Sequence, residues 1–473
     1  MKQQSINYYR CILLLTVPVL LFSSCKKKNN DLAENNTYVN DWVYKTMNEW
    51  YYWNTSMPQD PNKSVNPESF FYSLLKTPDD RFSWIQDNYQ ELLNELSGIT
   101  EEAGYESQLT IYGNNKLAGR ILYVKKGSPA EAAGLKRGDY FYKVNGQSFT
   151  YTSQYVANNM MALLYKNHTL SIGVYNAVTK EFDQVKNVSL TVTQFAENPV
   201  YLDTVYETAG KKTGYFVYNF FAPGATENST AYDDAVDAVF TRFKAAGISH
   251  LILDLRYNPG GNEVSTINLA SLIVKNATTN DEFFHREYNA NVLAQIKKDG
   301  EEALLSRKFL AKSANIGATL ERFAIITSSR TASASELIIN GLRPYMAVTL
   351  VGDTTYGKNV GSTTLYQQGD RRNKWGLQPI ITKAFNKNNQ SDYTNGFAPD
   401  VVASEGNEFK QFGDITEPLL SAALNKVTNG RMGSLRVAPP RFQATPVVHS
   451  LDHKAFSFQL IQPQENLPSV FKK

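Results

Sequence analysis

The sequence predicts a multidomain α/β chain with a small helical part, a strand-rich part and a core of alternating strands and helices. Three observations carry that prediction. Apolar residues recur at three- and four-residue spacings through 39–95, the period of an amphipathic helix. Short alternating stretches separated by Gly and Asn fill 96–198, as strands and turns do. From 199 to 428 apolar strands alternate with helical segments, the pattern of an α/β domain. Residues 429–473, with Pro439-Pro440, Pro446 and Pro463, fit none of these patterns and read as an appended extension. A chain of 473 residues, 42% hydrophobic and 20% charged, has room for two to four domains. Its net charge of +3 gives no reason to expect a nucleic-acid partner.

The first 24 residues read as an export signal rather than as part of the fold. Lys2 and Arg10 precede an apolar run from Cys11 to Phe22, interrupted by Thr16 and Pro18, and the small pair Ser23-Ser24 leads into Cys25. The stretch Leu21 to Cys25 resembles a bacterial lipobox, with Phe22 where that motif prefers Leu. The resemblance implies acylation of Cys25, a membrane anchor formed by burial of the acyl methylenes, and a place in the bacterial cell envelope facing the periplasm. Residues 25–38, containing Asn29-Asn30 and Glu34-Asn35-Asn36, then read as a polar tether. Cys11 and Cys25 are the chain's two cysteines, so the body carries no disulfide, cysteine nucleophile or thiolate metal site.

In the helical part, Trp42, Val43, Met47, Trp50 and Tyr51 form one stripe and Phe70, Phe71, Leu74 and Leu75 another, divided by Pro58 and Pro61. The strand-rich part contains Gly127-Ser-Pro-Ala-Glu-Ala-Ala-Gly-Leu-Lys-Arg-Gly-Asp139, then Tyr140 to Gly146. Pro129 suits the first turn of a short helix, Ala130, Ala132 and Ala133 let it lie close to a sheet, and Gly134 stops it. This stretch closely resembles the PDZ-domain signature. The resemblance implies a fold over 96–198 that binds extended peptide by adding it to a sheet edge.

Three segments of the core carry candidate chemistry. The apolar strand His250 to Arg256 runs into Asn258-Pro-Gly-Gly261, a tight turn whose N–H groups suit an oxyanion. Ile325-Ile326 leads through small residues into Ser333-Ala-Ser-Glu336, which is also a capping box opening a helix to Leu342. Val348 to Val351 leads into a turn presenting Gly357-Lys358. Singly, each has a plain structural explanation as a turn, a cap or a loop lysine. As an ordered set they resemble the C-terminal processing, or tail-specific, peptidases, which carry Asp-Leu-Arg-x-Asn-x-Gly-Gly, then Ser-Ala-Ser-Glu, then Gly-Lys behind a PDZ domain. Here Asp254 to Gly261, Ser333 to Glu336 and Gly357-Lys358 stand in that order, and Gly396-Phe-Ala-Pro-Asp400 resembles a later Gly-x-x-Pro-Asp element.

That resemblance implies a serine endopeptidase acting on extended C-terminal segments of exported polypeptides. It makes Ser333 the nucleophile, ahead of Ser335 and Ser329, and Lys358 the general base. The oxyanion donors would be Ala334 and either Gly260 or Gly261. The five histidines, His168, His250, His285, His449 and His453, lie far in sequence from the Ser333 and Lys358 motifs, although the members of a histidine triad need only meet in space. A lysine base must shed its proton, so burial is required of Lys358. Two positions depart from the family: Ser362 stands where many members have Gln, with a supporting role beside Lys358, and Pro344 stands where many have Asp. No metal or cofactor is implied. The competing expectation is a lipid-anchored, non-proteolytic peptide- or lipid-binding protein. A trypsin-like PDZ protease is disfavoured, because its Gly-Asn-Ser-Gly-Gly motif is missing.

Overall fold

A computed structural model describes residues 23–208, 210–226, 228–406, 409–429, 444–453, 460–462 and 467–469, with side chains from residue 34 onward except at 453 and 460. The proposed export signal therefore lies almost wholly outside the described residues. The expected tether is instead the first part of a helix, Ser23–Trp50. Val39, Val43 and Met47 are fully buried along one face of it and pack on Phe70, Phe71 and Leu74. The second helix, Pro67–Ser73, opens on Asn66, whose side chain accepts from the Glu68 N–H at 3.0 Å. This helical part is not a free-standing domain. The strand Trp84–Gln86 pairs antiparallel with Gly376–Gln378 of the core, and Ile85 and Leu377 share its cluster.

The strand-rich part forms one antiparallel sheet in the order Tyr105–Tyr112, Lys116–Val124, Tyr140–Val144, His168–Asn176, Glu181–Leu190. The helix Gln154–Leu163 closes its core over Leu109, Ile121, Phe141 and Leu170. Gly119 is required here, since a Cβ at that position would sit 1.9 Å from the Phe141 ring. A sixth strand completes this sheet from an unexpected place: Thr445–His449, in the C-terminal extension, pairs with the outer edge of Tyr105–Tyr112.

The core sheet runs Val401–Val402, Thr349–Gly352, Arg322–Thr327, His250–Asp254, Lys211–Tyr218, Val200–Thr208, and every pair but the last is parallel. Both faces are covered, which is why His250–Asp254 reads as an unbroken apolar run. Leu251 and Leu253 point toward the helices Ala231–Ala246, Glu263–Ile273 and Ala334–Leu342, while Ile252 faces Pro418–Val427. A second sheet lies beside it in the order Gly261–Asn262, Leu460–Ile461, Val360–Ser362, Ile380–Phe385, Glu282–Tyr288, Ser306–Lys308. Its second strand again belongs to the C-terminal extension. Among the described residues, no helix is long and apolar enough to cross a membrane.

Candidate active site

Three neighbouring parallel strands, Thr349–Gly352, Arg322–Thr327 and His250–Asp254, each end in one of the candidate segments. Lys358, Ser333 and the Gly260-Gly261 turn thus gather at the carboxyl edge of the sheet, where open α/β sheets form clefts. Short hydrogen bonds lock two of the segments together. Asn258 sends its amide to the Tyr218 carbonyl at 2.9 Å. Its own carbonyl accepts from Ser335 Oγ at 3.1 Å and from the Ala332 N–H at 3.3 Å. The Thr331 hydroxyl adds a 2.8 Å bond to the Leu255 carbonyl. Below the turn, the Arg256 guanidinium is buried against Asp254 at 2.6 Å and Glu417 at 2.7 Å, so the strand end is fixed from beneath.

Ser333 opens the helix Ala334–Leu342 in a conformation that serine rarely adopts, φ +59° and ψ −110°. Such strain persists where the surroundings over-determine it, as at active sites. One arm of the capping box is made, the Ser333 N–H donating to Glu336 Oε2 at 2.8 Å. The Ser333 hydroxyl, in contrast, is buried and has no hydrogen-bond partner within the protein. The other two candidate serines are differently placed. Ser335 Oγ is spent on the Asn258 carbonyl, and Ser329 is exposed on the preceding turn.

Glu336 links the nucleophile candidate to the base candidate. Its Oε2 accepts from both the Ser333 and the Lys358 N–H at 2.8 Å each. The two backbone nitrogens are therefore at most twice that distance apart. Its Oε1 accepts from the Gly357 N–H at 2.7 Å and the Thr355 hydroxyl at 2.6 Å. Burial pushes this carboxyl up, and the four donors pull it back toward the ionised form. Replacing Glu336 by Gln is expected to oppose an amide NH₂ to these donors, with a loss on the order of 3 kcal/mol and most of the activity. Chemical denaturation and peptide turnover measure both.

Lys358 is 1% exposed. Burial drives its amine from the usual lysine value down to about 7, with Asp80 and Glu336 pulling the other way. Its Nζ lies 4.9 Å from the centroid of the Phe82 ring. Arg81, beside that ring, donates to the carbonyls of Tyr356, Gly357 and Thr394. The wall that dries the lysine thus comes from the helical part, through Asp80, Arg81 and Phe82. Asp80 is itself buried, with Oδ1 accepting from the N–H groups of Phe82 and Ser83 at 2.9 Å. The sequence reading missed these residues; the Asp-Asp-Arg-Phe run at 79–82 is the only signal of them.

The turn narrows the choice of oxyanion donor. Gly260 N–H donates to Asn258 Oδ1 at 2.9 Å, which removes it as a donor and leaves Gly261 from this pair. Ala334, as the first helical residue, has an N–H with no acceptor within its own helix. Gly261 sits at φ +134°, and a Cβ there would lie 2.1 Å from the Phe221 carbonyl oxygen. Gly261→Ala is therefore expected to shift the turn, lowering kcat about 100-fold or more at saturating peptide. Ser362 accepts from Gln378 Nε2 at 2.9 Å, so a glutamine does stand near this position, supplied by the strand Gly376–Gln378 of a separate sheet. The described histidines sit elsewhere: His168 bonds Tyr105 and the Lys166 carbonyl, His250 the Ser249 carbonyl, and His285 Glu282. His449 is buried, and burial drives it down to about 3. The His453 side chain lies outside the described residues.

Comparison with known families matches residues 212–403 to peptidase family S41, residues 38–84 to the peptidase S41 N-terminal domain and residues 120–162 to a PDZ domain. The chain belongs to peptidase family S41. The three matches fall in the core, the helical part and the strand-rich part, so this S41 chain is a serine peptidase of multidomain α/β build. It is similar to the carboxyl-terminal-processing protease of Picosynechococcus, 24% identical over 444 residues, covering 88% of this chain and 94% of the relative. It is also similar to the carboxy-terminal processing protease CtpA of Bacillus subtilis, 25% identical over 367 residues, covering 76% of this chain and 67% of that one. A crystal structure from Bacteroides fragilis, described as a candidate S41 protease, superposes with a TM-score of 0.67 at 27% identity. It covers 82% of this chain and 97% of its own.

Proposed function

We propose that this S41 peptidase is an endopeptidase for exported polypeptides, engaging extended C-terminal segments and cutting by a Ser333–Lys358 acyl-enzyme mechanism. The observation that supports this most is the shared Glu336 oxygen. It accepts from the backbone N–H of both residues and so ties a strained serine to the segment carrying a buried lysine, whose amine burial drives down to about 7. Neutral Lys358 takes the proton of Ser333 Oγ as that oxygen attacks the scissile carbonyl carbon. The oxyanion receives the N–H groups of Ala334 and Gly261. As the tetrahedral intermediate collapses, the Lys358 ammonium returns its proton to the departing amine. Lys358 then deprotonates water, which releases the acyl group and restores the serine hydroxyl.

The test is an active-site-directed peptidyl phosphonate, with intact mass and peptide mapping as readout. Labelling confined to Ser333 and lost in Lys358→Ala supports the assignment. Labelling at Ser335 or Ser329, or undiminished in Lys358→Ala, defeats it. The non-proteolytic binder finds no support in the family matches. Export and acylation at Cys25 belong to the same proposal and rest on residues 2–25 of the sequence. Expressed in a bacterium, Cys25→Ser is expected to move the protein from the membrane fraction to the soluble one.

A further inference from the structure

The C-terminal extension lies in two places where a PDZ-bearing peptidase would hold a polypeptide. The first is the PDZ groove. Thr445–His449 runs antiparallel along the free edge of Tyr105–Tyr112 and against the helix Gln154–Leu163. Val448 enters the PDZ core, and Gln154 Nε2 donates to the Val447 carbonyl at 3.1 Å. A peptide lying between a sheet edge and a helix is strand addition, the way such a fold takes an extended ligand.

The second place is the cleft. Leu460–Ile461 runs parallel to Gly261–Asn262, the strand that begins at the oxyanion turn, and Ile461 pairs on its other side with Ser362. Gln462 N–H donates to the Ser362 carbonyl at 2.9 Å, and the Gln462 carbonyl accepts from the Thr363 hydroxyl at 2.8 Å. The Gln462 side chain accepts from the Tyr288 hydroxyl at 2.8 Å. Without this segment the strands bearing Gly261 and Ser362 would face each other across an open slot one strand wide.

Between the two places the chain is also pinned. The Ser450 hydroxyl donates to Glu106 and accepts from the Ser107 N–H, Leu451 is buried beside Tyr123 and Tyr257, and Asp452 pairs with Arg330, three residues before Ser333. The strand pairing in the slot is made by backbone groups, so another extended polypeptide can take its place.

We propose that residues 445–453 and 460–462 act as a substrate-like segment carried in cis, the first part filling the PDZ groove and the second the cleft slot, which must be displaced by an incoming polypeptide. The inference rests on the reading of this site as a peptidase site. A tethered segment competes at an effective concentration on the order of millimolar. Against a tail affinity on the order of 10 μM, a free peptide then binds about 100-fold more weakly than to an empty groove.

The test uses the full chain carrying Ser333→Ala, so that no cleavage intrudes, and a fluorescein-labelled peptide with the sequence of residues 445–462. Binding is read by anisotropy, and hydrogen exchange along Tyr105–Tyr112 reports whether the tail has left. Two forms release the tail: Val448→Asp with Ile461→Asp, and a specific protease site placed between 430 and 443 and cut after folding. At least tenfold tighter probe binding, with faster exchange at that edge, is expected in both. Unchanged affinity despite a released edge overturns the proposal. So does an edge that stays protected in both forms, because the segment is then a permanent strand. With Ser333 restored, the same forms are expected to cleave an unfolded reporter at least tenfold faster. Failure of the peptidase reading is separately visible, as no phosphonate label at Ser333 in any form, while the binding measurement stands without it.

Discussion

Lys358→Ala is expected to lower kcat by about 100- to 10,000-fold, the usual contribution of a positioned general base, with a smaller change in KM. The wild-type profile of kcat/KM against pH should rise through a midpoint near 7, because the reactive form is the neutral amine and burial has brought its pKa there. An ordinary lysine would put that midpoint near 10.4. Lys358→Arg should not rescue, since a guanidinium keeps its charge throughout. The same burial has a stability consequence. Because the folded pKa is depressed, the unfolded chain binds more protons between about pH 7 and pH 10.4, so stability rises with pH across that window. The distance between 10.4 and about 7 corresponds to a cost on the order of 5 kcal/mol, borne in full below pH 7. Lys358→Met should therefore be more stable than wild type at pH 6, with the gain shrinking toward pH 10. Denaturant titrations at the two pH values check this, and a flat difference would mean that the amine is not desolvated in the fold.

The difference between what the sequence disclosed and what it concealed follows from the range of the interactions involved. His250–Asp254 was legible as an unbroken apolar run buried on both faces, and Ala231–Ala246 as a 3.6-residue period facing one core. The three site motifs were legible as an ordered set, and their convergence follows from three adjacent parallel strands ending at one sheet edge. The conformation of Ser333 was hidden, because Ser-x-x-Glu reads locally as a helix cap. Glu336 fills one arm of that cap and also carries Lys358, a partnership across 22 residues that no local pattern expresses. The wall around Lys358 comes from Asp80 to Phe82, more than 270 positions earlier in the chain. The extension resisted classification for a related reason. Thr445–His449 and Leu460–Ile461 are short strands whose pairing partners lie more than 300 and roughly 100 to 200 residues away, and Pro446 argues against a strand by propensity. The edge position tolerates that proline.

Ser333→Ala should have the largest effect on activity, on the order of 10⁴- to 10⁶-fold in kcat, leaving what binding and the oxyanion donors supply. Adding Lys358→Ala to it should cost little more, since a base without its nucleophile has no proton to take. A double variant that loses activity as the product of the two singles would break the dyad assignment. The stability effect should have the opposite sign. The native hydroxyl is buried without a hydrogen-bond partner, a state that costs about 1–3 kcal/mol. Alanine removes that group and leaves the backbone unchanged. Glycine removes it and also relieves the strained φ of +59°, offset by its larger unfolded-state freedom. Both variants should therefore melt higher than wild type by an amount corresponding to about 1 kcal/mol or more. The penalty is tolerated because the hydroxyl must be available to donate its proton to the neutral Lys358 amine as it attacks. Wild type melting above both variants would show that the hydroxyl is bonded in the resting enzyme and that the serine carries no such burden.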